Sequence, residues 1–490
     1  MVRVGVLIAL VLAALAIVAV ALYLQAKGPS KSSSNGSSAG EARSASSSGA
    51  SATLRSAVKV SGLIKHERRF QAIADEHGGN RASGMPGYDA SAAYVARELE
   101  RAGYEVAVQS FEVPFFQELE PAQLQQVAPK NKDYETATFE YSGSGDVTGR
   151  LVLTKDVLIP PPAQPGPTSG CEPDDFVPAS ETEPQVALIQ RGSCEFSVKA
   201  ANAEAARYDA VILFNEGQRG RTEAVTGTLG SPGFSIPVVG ARFAAGEELY
   251  AATQNGKVVV RVITSTLPET RVSSNVIADT PQGRPDRTLV VGAHLDSVIG
   301  GPGINDNGSG SATVLEIALQ MSRLGIEPGN RVRFAFWGAE ELGLLGSKHY
   351  VDHLPKDEVR DIAAYLNFDM VGSPNFVRNV YEGPDVTEKV FTDYFATRGI
   401  RVEVNSALNG RSDHVPFEAR GIPTGGLFSG AEGIKTGEEA AAFGGEAGAA
   451  HDPCYHRACD DLSNLDENAL NQFSDAAAHA TVALANGTPR

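Results

Sequence analysis

From about residue 268 to its carboxyl terminus, the chain alternates strand-like apolar runs with helical apolar stripes. The run "TLVVGAHLD" is almost continuously apolar, which is typical of a strand buried in a parallel sheet. The segment "GSATVLEIALQMSRLG" instead places Val314, Ile317, Met321 and Leu324 on one helical face. The runs "RVRFAFWGAEE" and "IAAYLNFDM" repeat the strand pattern. The α/β class is therefore predicted, with a mixed, mostly parallel sheet flanked by helices.

The pattern of apolar positions divides residues 54–267 into two regions. Residues 54–125 read as helix, Gly-rich loop, helix and strand, and the second helix places Ala93, Val95, Leu99 and Ala102 on one face. Residues 126–267 hold short strand-like runs separated by Pro-rich breaks such as "IPPPAQPGP". Because the helix and strand alternation resumes over residues 268–490, we interpret residues 126–267 as an inserted β-rich domain.

The amino terminus shows a different pattern. Residues 4–24 are free of charge and would span about 30 Å as a helix, enough to cross a bilayer. This apolar run is longer than that of a usual signal peptide, so residues 1–27 are read as a membrane anchor in preference to a cleaved signal peptide, which stays the alternative. The Ser/Gly/Ala-rich residues 28–53 are predicted to form a flexible linker.

Composition limits the classes of binding partner and the cellular compartment of the protein. A net charge of −17 disfavours nucleic acid, whose phosphates would be repelled. The four cysteines fall into two local pairs, which in an exported chain predicts the disulfides Cys171–Cys194 and Cys454–Cys459, the alternative being buried thiols. The protein is therefore expected outside the cytoplasm, membrane-anchored, or secreted if the amino-terminal segment is cleaved.

Candidate metal ligands follow the predicted strands at the points where the strands end. Singly, each is typical of a turn, a helix cap or a solvated surface. Because the carboxyl ends of the strands of an open α/β sheet line one crevice, however, the residues would lie together and would need cations to offset their charge. Imidazole and carboxylate ligands favour zinc, with cobalt or manganese as substitutes. The set consists of His294, Asp296, Asp306, Glu340, Glu341 and Asp369, with His456 beyond.

The motifs in this region, taken in order, are similar to those of a known family. They are "GAHLDS", "GINDNGSG", "FWGAEELGLLGS", "LNFDMVGSP", "GRSDHVPF" and "CYHRACDDLSN". Together they closely resemble the co-catalytic zinc aminopeptidases of peptidase family M28, over most of residues 288–480. The segment "ALIQRGSCEFSVKAANAEAARYDAVILFNE" resembles a protease-associated (PA) domain. The resemblance implies a zinc exopeptidase fold with an inserted PA domain.

The resemblance also implies a metal-binding role for five residues. His294 and Asp369 would bind one zinc ion and Glu341 and His456 a second, while Asp306 would bridge the two. The expected reaction is hydrolysis of the bond after the first residue of a peptide, by a water molecule shared between the ions.

Further residues would act around this pair of ions. Glu340 would be the general base, Tyr455 would hydrogen-bond the oxyanion, and Arg411 would help to hold the substrate. Asp296 would orient the imidazole of its neighbour two residues earlier. Met370 and Phe428 are candidates for an apolar pocket favouring large hydrophobic first residues, or are ordinary core residues.

The predicted function is therefore a zinc-dependent aminopeptidase acting on peptides with a free amino terminus. The alternatives are carboxypeptidase or glutaminyl cyclase activity, or a non-catalytic protein that binds a partner through its PA domain. Calcium is doubtful, because one position expected to bind it is Asn471 and only Asp475 is acidic. His451 is expected to be a surface or packing residue.

Overall fold

The computed structural model describes residues 49–405 and 410–487. The predicted anchor or signal peptide, residues 1–27, lies outside the described residues. Among the described residues, no helix combines the length and apolarity needed to cross a membrane. The linker prediction was too long, since residues 51–57 are helical and Ser51 and Leu54 are buried. Ser51 also hydrogen-bonds the imidazole of His479, which holds this helical segment against α11 near the carboxyl terminus.

The elements alternate along the chain as expected for an α/β protein. The strands are β1 (Glu105–Ala128), β2 (Lys132–Tyr134), β3 (Thr136–Thr138), β4 (Gly145–Leu153), β5 (Gln185–Gln190), β6 (Ala210–Phe214), β7 (Val238–Ala241), β8 (Val259–Asp279), β9 (Arg284–His294), β10 (Asn330–Trp337), β11 (Ile362–Phe368), β12 (Asn379–Tyr381), β13 (Glu403–Asn405) and β14 (Thr424–Phe428). The helices are α1 (Val60–Glu76), α2 (Pro86–Arg101), α3 (Phe196–Ala205), α4 (Phe243–Gln254), α5 (Gly310–Arg323), α6 (Leu345–His353), α7 (Lys356–Asp361), α8 (Asp385–Ala396), α9 (His414–Glu418), α10 (Gly437–Phe443) and α11 (Glu467–Asn486).

In the described part of the chain, the strands form one 14-stranded sheet. Twelve strands follow the order β13-β12-β14-β11-β9-β10-β8-β4-β5-β6-β7-β3, while β1 pairs with β8 and β2. The central strands β14, β11, β9 and β10 are parallel to one another. This confirms the predicted class, a mixed sheet flanked by helices.

Two long antiparallel strands join the two parts of the molecule. Strand β1 pairs with β8 from Glu105 opposite Asp279 to Ala128 opposite Val259. Both strands run through the positions where the sequence suggested domain boundaries, after residues 125 and 267. Register shifts interrupt the alternation of side chains along the pair, which explains why the pattern did not reveal such long strands. The boundaries of the inserted domain stay a prediction.

The sheet is buried on both faces in its inserted part as well. In β5, Val186 and Leu188 pack into one apolar cluster and Ala187 and Ile189 into another, as the two-residue period of a strand requires. The first cluster includes residues of α4, and the second includes residues of α3. A helix thus covers each face of this part of the sheet.

Two details of the predicted helical faces were wrong. Ala93 is exposed, and Ala92 lies on the buried face of α2 together with Tyr94 and Val95. Leu324 is 37% exposed because it lies one residue beyond the end of α5, where the helical stripe no longer continues. The predicted positions on these faces that are buried are Val95, Leu99, Val314, Ile317 and Met321.

Candidate metal centre

Three adjacent parallel strands deliver the predicted ligands to one edge of the sheet. His294 is the last residue of β9, and it lies opposite Trp337, the last residue of β10. Glu340 and Glu341 follow β10 within four residues, and Asp369 follows directly after β11. Because the strands are parallel and in register, these side chains meet at the carboxyl edge.

Asp306 reaches the same place through a loop that precedes α5. The loop runs over Ile304–Ser309, and its backbone departs from helical geometry at Asp306 and Asn307. The carboxylate of Asp460 accepts hydrogen bonds from the backbone N–H of Asn305 at 2.8 Å and of Asp306 at 3.0 Å. These two bonds fix the backbone from which the Asp306 side chain projects.

The carboxylate of Asp306 lies between two imidazoles. Its Oδ1 is 3.3 Å from His294 Nε2, and its Oδ2 is 3.3 Å from His456 Nε2. His294 Nε2 is also 3.3 Å from Asp369 Oδ1, and His456 Nε2 is 3.0 Å from Glu341 Oε2. The five residues therefore form two groups, each with one imidazole and one carboxylate of its own, which share the carboxylate of Asp306.

The electrostatics of this cluster favour bound cations. Burial raises the pKa of Glu340 well above its ordinary value, and burial together with the nearby carboxylate of Asp306 raises the pKa of Glu341 to about 7. Burial alone would lower the pKa of His456, but its contacts with Asp306 and Glu341 raise it to about 10. Without metal, then, the cluster retains protons to offset its carboxylates.

The donor set fits zinc. Each group offers imidazole nitrogen and carboxylate oxygen, the ligands that zinc binds in catalytic sites. Glu341 Oε1 is buried and has no hydrogen-bond partner among the described residues, so this oxygen is available as a ligand. Ligand atoms of His294, Asp306 and Glu341 lie within 4.8 Å of one another, as do those of His294, Glu340 and Asp369.

Asp296 lies behind His294, although its carboxylate is not the nearest acceptor. Nδ1 of His294 is 3.2 Å from the backbone oxygen of Asp296 and 3.6 Å from its carboxylate oxygen Oδ1. That same Oδ1 accepts a hydrogen bond from the backbone N–H of Glu340 at 3.2 Å. Asp296 therefore connects the end of β9 with the segment that carries the Glu pair.

A chain of hydrogen bonds that sequence reasoning missed ends at Asp369. Trp337 Nε1 donates to Tyr365 Oη at 2.8 Å, and Tyr365 Oη donates to Asn367 Oδ1 at 2.6 Å. Asn367 Nδ2 donates to Ser412 Oγ at 2.8 Å, and Ser412 Oγ donates to Asp369 Oδ2 at 2.6 Å. Since Oδ2 is engaged in this way, Oδ1 of Asp369 faces His294.

Tyr455 and Arg411 lie on the exposed side of the cluster. Arg411 Nη2 donates to Tyr455 Oη at 3.0 Å, and Nη1 donates to Glu432 Oε1 at 2.8 Å. The Tyr455 ring stacks on the imidazole of His456 with a centroid separation of 3.8 Å.

The structure has both disulfides that the cysteine pairs predicted. The bond between Cys454 and Cys459, whose Cα atoms are 5.3 Å apart, encloses Tyr455 and His456 in a short loop. The bond between Cys171 and Cys194 lies in the inserted region, with Cα atoms 5.9 Å apart. The described residues contain no free cysteine.

A cavity of about 260 Å³ opens beside the cluster. It is lined by most of the predicted site residues, including Met370 and Phe428, whereas His294 and Asp296 are buried behind it. The cavity is also lined by His451, which sequence reasoning assigned to the surface or to packing.

Asp475, the acidic residue considered for calcium, lies elsewhere and contacts Arg55 at 3.3 Å and Tyr394 at 2.6 Å. An open α/β sheet with such a cluster at its carboxyl edge is the arrangement expected of a metal-dependent hydrolase.

Comparison with known proteins identifies the family. A model of peptidase family M28 matches residues 275–481, and a PA domain model matches residues 147–249. An aminopeptidase of Pseudomonas aeruginosa is 41% identical over 455 residues, which cover 89% of this chain and 82% of that protein. The chain therefore belongs to peptidase family M28, in its aminopeptidase branch, and carries a PA domain.

Two further relatives agree with this assignment. A probable lipoprotein aminopeptidase of Mycobacterium tuberculosis, LpqL, is 38% identical over 455 residues, covering 88% of this chain and 86% of the relative. The solved structure of an aminopeptidase from Aneurinibacillus sp. strain AM-1 superposes with a TM-score of 0.63 at 26% identity, covering 88% of this chain and 95% of that one.

Proposed function

We propose that the protein is an aminopeptidase that uses two zinc ions. His294 and Asp369 would hold one ion, and Glu341 and His456 would hold the other. The carboxylate of Asp306 would bind both ions. The observation that carries this proposal is the position of the Asp306 carboxylate, each of whose oxygens lies 3.3 Å from a different imidazole. When bound, such a pair of ions lowers the pKa of water and polarises the scissile carbonyl.

Glu340 is proposed to move the proton. Its carboxylate is buried beside the proposed ligands and lines the cavity, so it lies where the proton must be transferred. Glu340 would take a proton from the attacking water and give it to the departing amine. Tyr455 Oη would donate a hydrogen bond to the oxyanion, and Arg411, which donates to that same Oη at 3.0 Å, would fix its position.

The same carboxylates would select a free amino terminus. Glu340 and Asp369 both line the cavity, and their charge would hold an α-ammonium group that an acetylated peptide lacks. Met370 and Phe428 belong to one apolar cluster with Ala431, and they would contact the first side chain of the peptide. This supports activity on large hydrophobic first residues.

We place the active domain outside the cytoplasm. Two disulfides in the described residues support an oxidising compartment. The relationship to a protein named as a lipoprotein aminopeptidase points in the same direction. Attachment to the membrane through residues 1–27, or secretion after their removal, stays part of the proposal, as does a partner for the PA domain.

The proposal is tested with purified protein and two neighbouring variants. Wild type should contain two zinc ions and hydrolyse leucyl substrates with a free amino terminus but not their acetylated forms. Glu340→Gln should retain both ions and lose activity by about 10²- to 10⁴-fold, because only the proton carrier is removed. Glu341→Gln should instead lose zinc. Full activity of Glu340→Gln, cleavage of acetylated substrates, or ring closure of amino-terminal Gln without hydrolysis would each contradict the proposal.

A further inference from the structure

The cavity beside the metal cluster extends beyond it, toward one edge of the sheet. The lining includes Phe428 at the end of β14, Asn379 of β12 and Asn405 of β13. In the sheet these strands follow β11 in the order β11-β14-β12-β13. Strand β13 therefore lies three strands away from β11, the strand that Asp369 follows. At roughly 4.8 Å per strand, the lining spans about 14 Å across the sheet. This space is long enough for an extended side chain.

The walls of this space are apolar in one part and polar in another. Met370, Phe428 and Ala431 form an apolar cluster that can pack against a hydrocarbon stem. Asn379 and Asn405, which hydrogen-bond each other at 2.7 Å, add polar groups where the lining includes residues of β12 and β13. Such a pocket can bind an aliphatic stem that ends in a polar head.

Two carboxylates that are neither proposed metal ligands nor the proposed proton carrier line the same cavity, and they differ in whether a cation pairs with them. Glu432 pairs with Arg411 at 2.8 Å. Glu439 has no such pairing, since its Oε2 accepts one backbone hydrogen bond, from Thr436 at 2.6 Å. Its side chain is only 19% exposed. Glu439 therefore contributes negative charge that no guanidinium offsets.

The neighbours of Glu439 offset this charge only in part. His451 Nε2 is 3.7 Å from Glu439 Oε2, and burial lowers the pKa of His451, so the imidazole is neutral near pH 7. His451 is 9% exposed, and its Nε2 is buried with no hydrogen-bond partner among the described residues. Lys435 attracts Glu439 electrostatically, but no ion pair joins the two, because Lys435 Nζ donates to the backbone oxygens of Asn375 and Phe376 at 3.1 and 2.8 Å.

We propose that this cavity binds the side chain of the first residue of the substrate and accepts lysine and arginine in addition to hydrophobic residues. Their aliphatic stems would lie against Met370 and Phe428, and their cationic heads would pair with Glu439. Glu439 is thus a specificity-determining residue, and the unpartnered nitrogen of His451 is a second polar group for the same head. This inference rests on the proposed aminopeptidase function and narrows its substrate class.

The test compares lysine with norleucine, which has nearly the same shape without the charge. We would measure kcat/KM for lysyl, norleucyl and leucyl p-nitroanilides with wild type, Glu439→Gln and Glu438→Gln. Gln at position 439 can still complete the capping box that Glu439 forms with Thr436, so the helix start is preserved. Glu438 is an exposed neighbour in the same first turn and does not line the cavity, which makes it the matched control.

The expected result is a change in one ratio. Glu439→Gln should lower kcat/KM for the lysyl substrate about fivefold relative to norleucyl, the value of one partly exposed charge pair. Any effect of Glu439→Gln on the norleucyl and leucyl rates should be equal for the two, so the ratio of lysyl to norleucyl isolates the charge, and Glu438→Gln should keep the wild-type ratio. An unchanged ratio in Glu439→Gln, or an equal change in Glu438→Gln, overturns the inference. Absence of norleucyl and leucyl hydrolysis by wild type would instead contradict the proposed function.

Discussion

Removal of the hydroxyl that holds Asp369 should weaken zinc binding while the fold is retained. In Ser412→Ala, Asp369 Oδ2 loses its hydrogen bond of 2.6 Å, and the carboxylate is free to rotate. A hydrogen bond to a charged group contributes about 1.5–3 kcal/mol, which corresponds to about 10- to 100-fold in affinity. Outer hydrogen bonds to metal ligands have effects of the same size. Asn367 Nδ2 keeps its other acceptor, Tyr381 Oη at 3.1 Å, so its donor is not left unpaired.

The assay is titration of metal-free protein with zinc in competition with a chelator. One of the two ions should bind about 10- to 100-fold more weakly in Ser412→Ala, while the other is unaffected, because Ser412 contacts only one of the two groups. Ser347→Ala is the matched control, since this equally buried hydroxyl bonds Asp413, which is not a proposed ligand. Unchanged affinity for both ions in Ser412→Ala, or an equal loss in Ser347→Ala, would refute the reasoning.

Three further predictions follow from single contacts. Tyr455→Phe should lower kcat about 10²-fold in steady-state assays with little change in KM, because a donor to the oxyanion is lost; an unchanged kcat would exclude that role. Burial, with the cation of Arg55, lowers the pKa of His479 from 6.5 to about 4, so between these pH values the unfolded chain binds a proton that the folded chain does not. The free energy of unfolding in urea should therefore fall by about 1–2 kcal/mol as the pH decreases across this interval, allowing for solvent screening, and a His479→Gln variant that shows the same fall would contradict this. Replacing Cys454 and Cys459 together by serine should lower the free energy of unfolding of the metal-free protein by about 2 kcal/mol. This is the stabilisation expected from a disulfide that closes so short a loop. An unchanged free energy of unfolding would show that the closed loop adds no stability.

The central strands could be predicted because they are fully buried. In β9, Leu289, Val290 and Val291 are at most 1% exposed, and such a continuous apolar run has few other interpretations. The long β1–β8 pair could not be predicted in the same way. Its residues face solvent on part of their length, as the exposure of Val108 and Val272 shows, and register shifts disturb the two-residue period. Local patterns therefore identified the core of the sheet and missed the connection between its two parts.

The candidate ligands could also be predicted, because acidic and imidazole residues at strand ends are conspicuous in an apolar context. The residues that hold these ligands in place could not be predicted, for a physical reason. Ser412 and Asp460 act through contacts with residues 43 and 154 positions away, and serine and aspartate are common in loops. Only the folded arrangement shows which of them faces a ligand. The orienting role of the Asp296 carboxylate stays a prediction, since the acceptor nearer to His294 Nδ1 is the backbone oxygen of Asp296.

The long-range contacts also explain why residues on both sides of the inserted region are needed for one site. Arg81, from the segment before β1, is fully buried. Its guanidinium donates to the backbone oxygens of Leu295, of Pro302 at 2.9 Å and of Gly303 at 2.5 Å. These oxygens belong to the loop between His294 and Asp306, so one cation holds the span that separates a terminal ligand from the shared one. The insertion can be accommodated between β1 and β8 because their pairing returns the chain to the sheet, and Arg81 then completes the metal-binding loop.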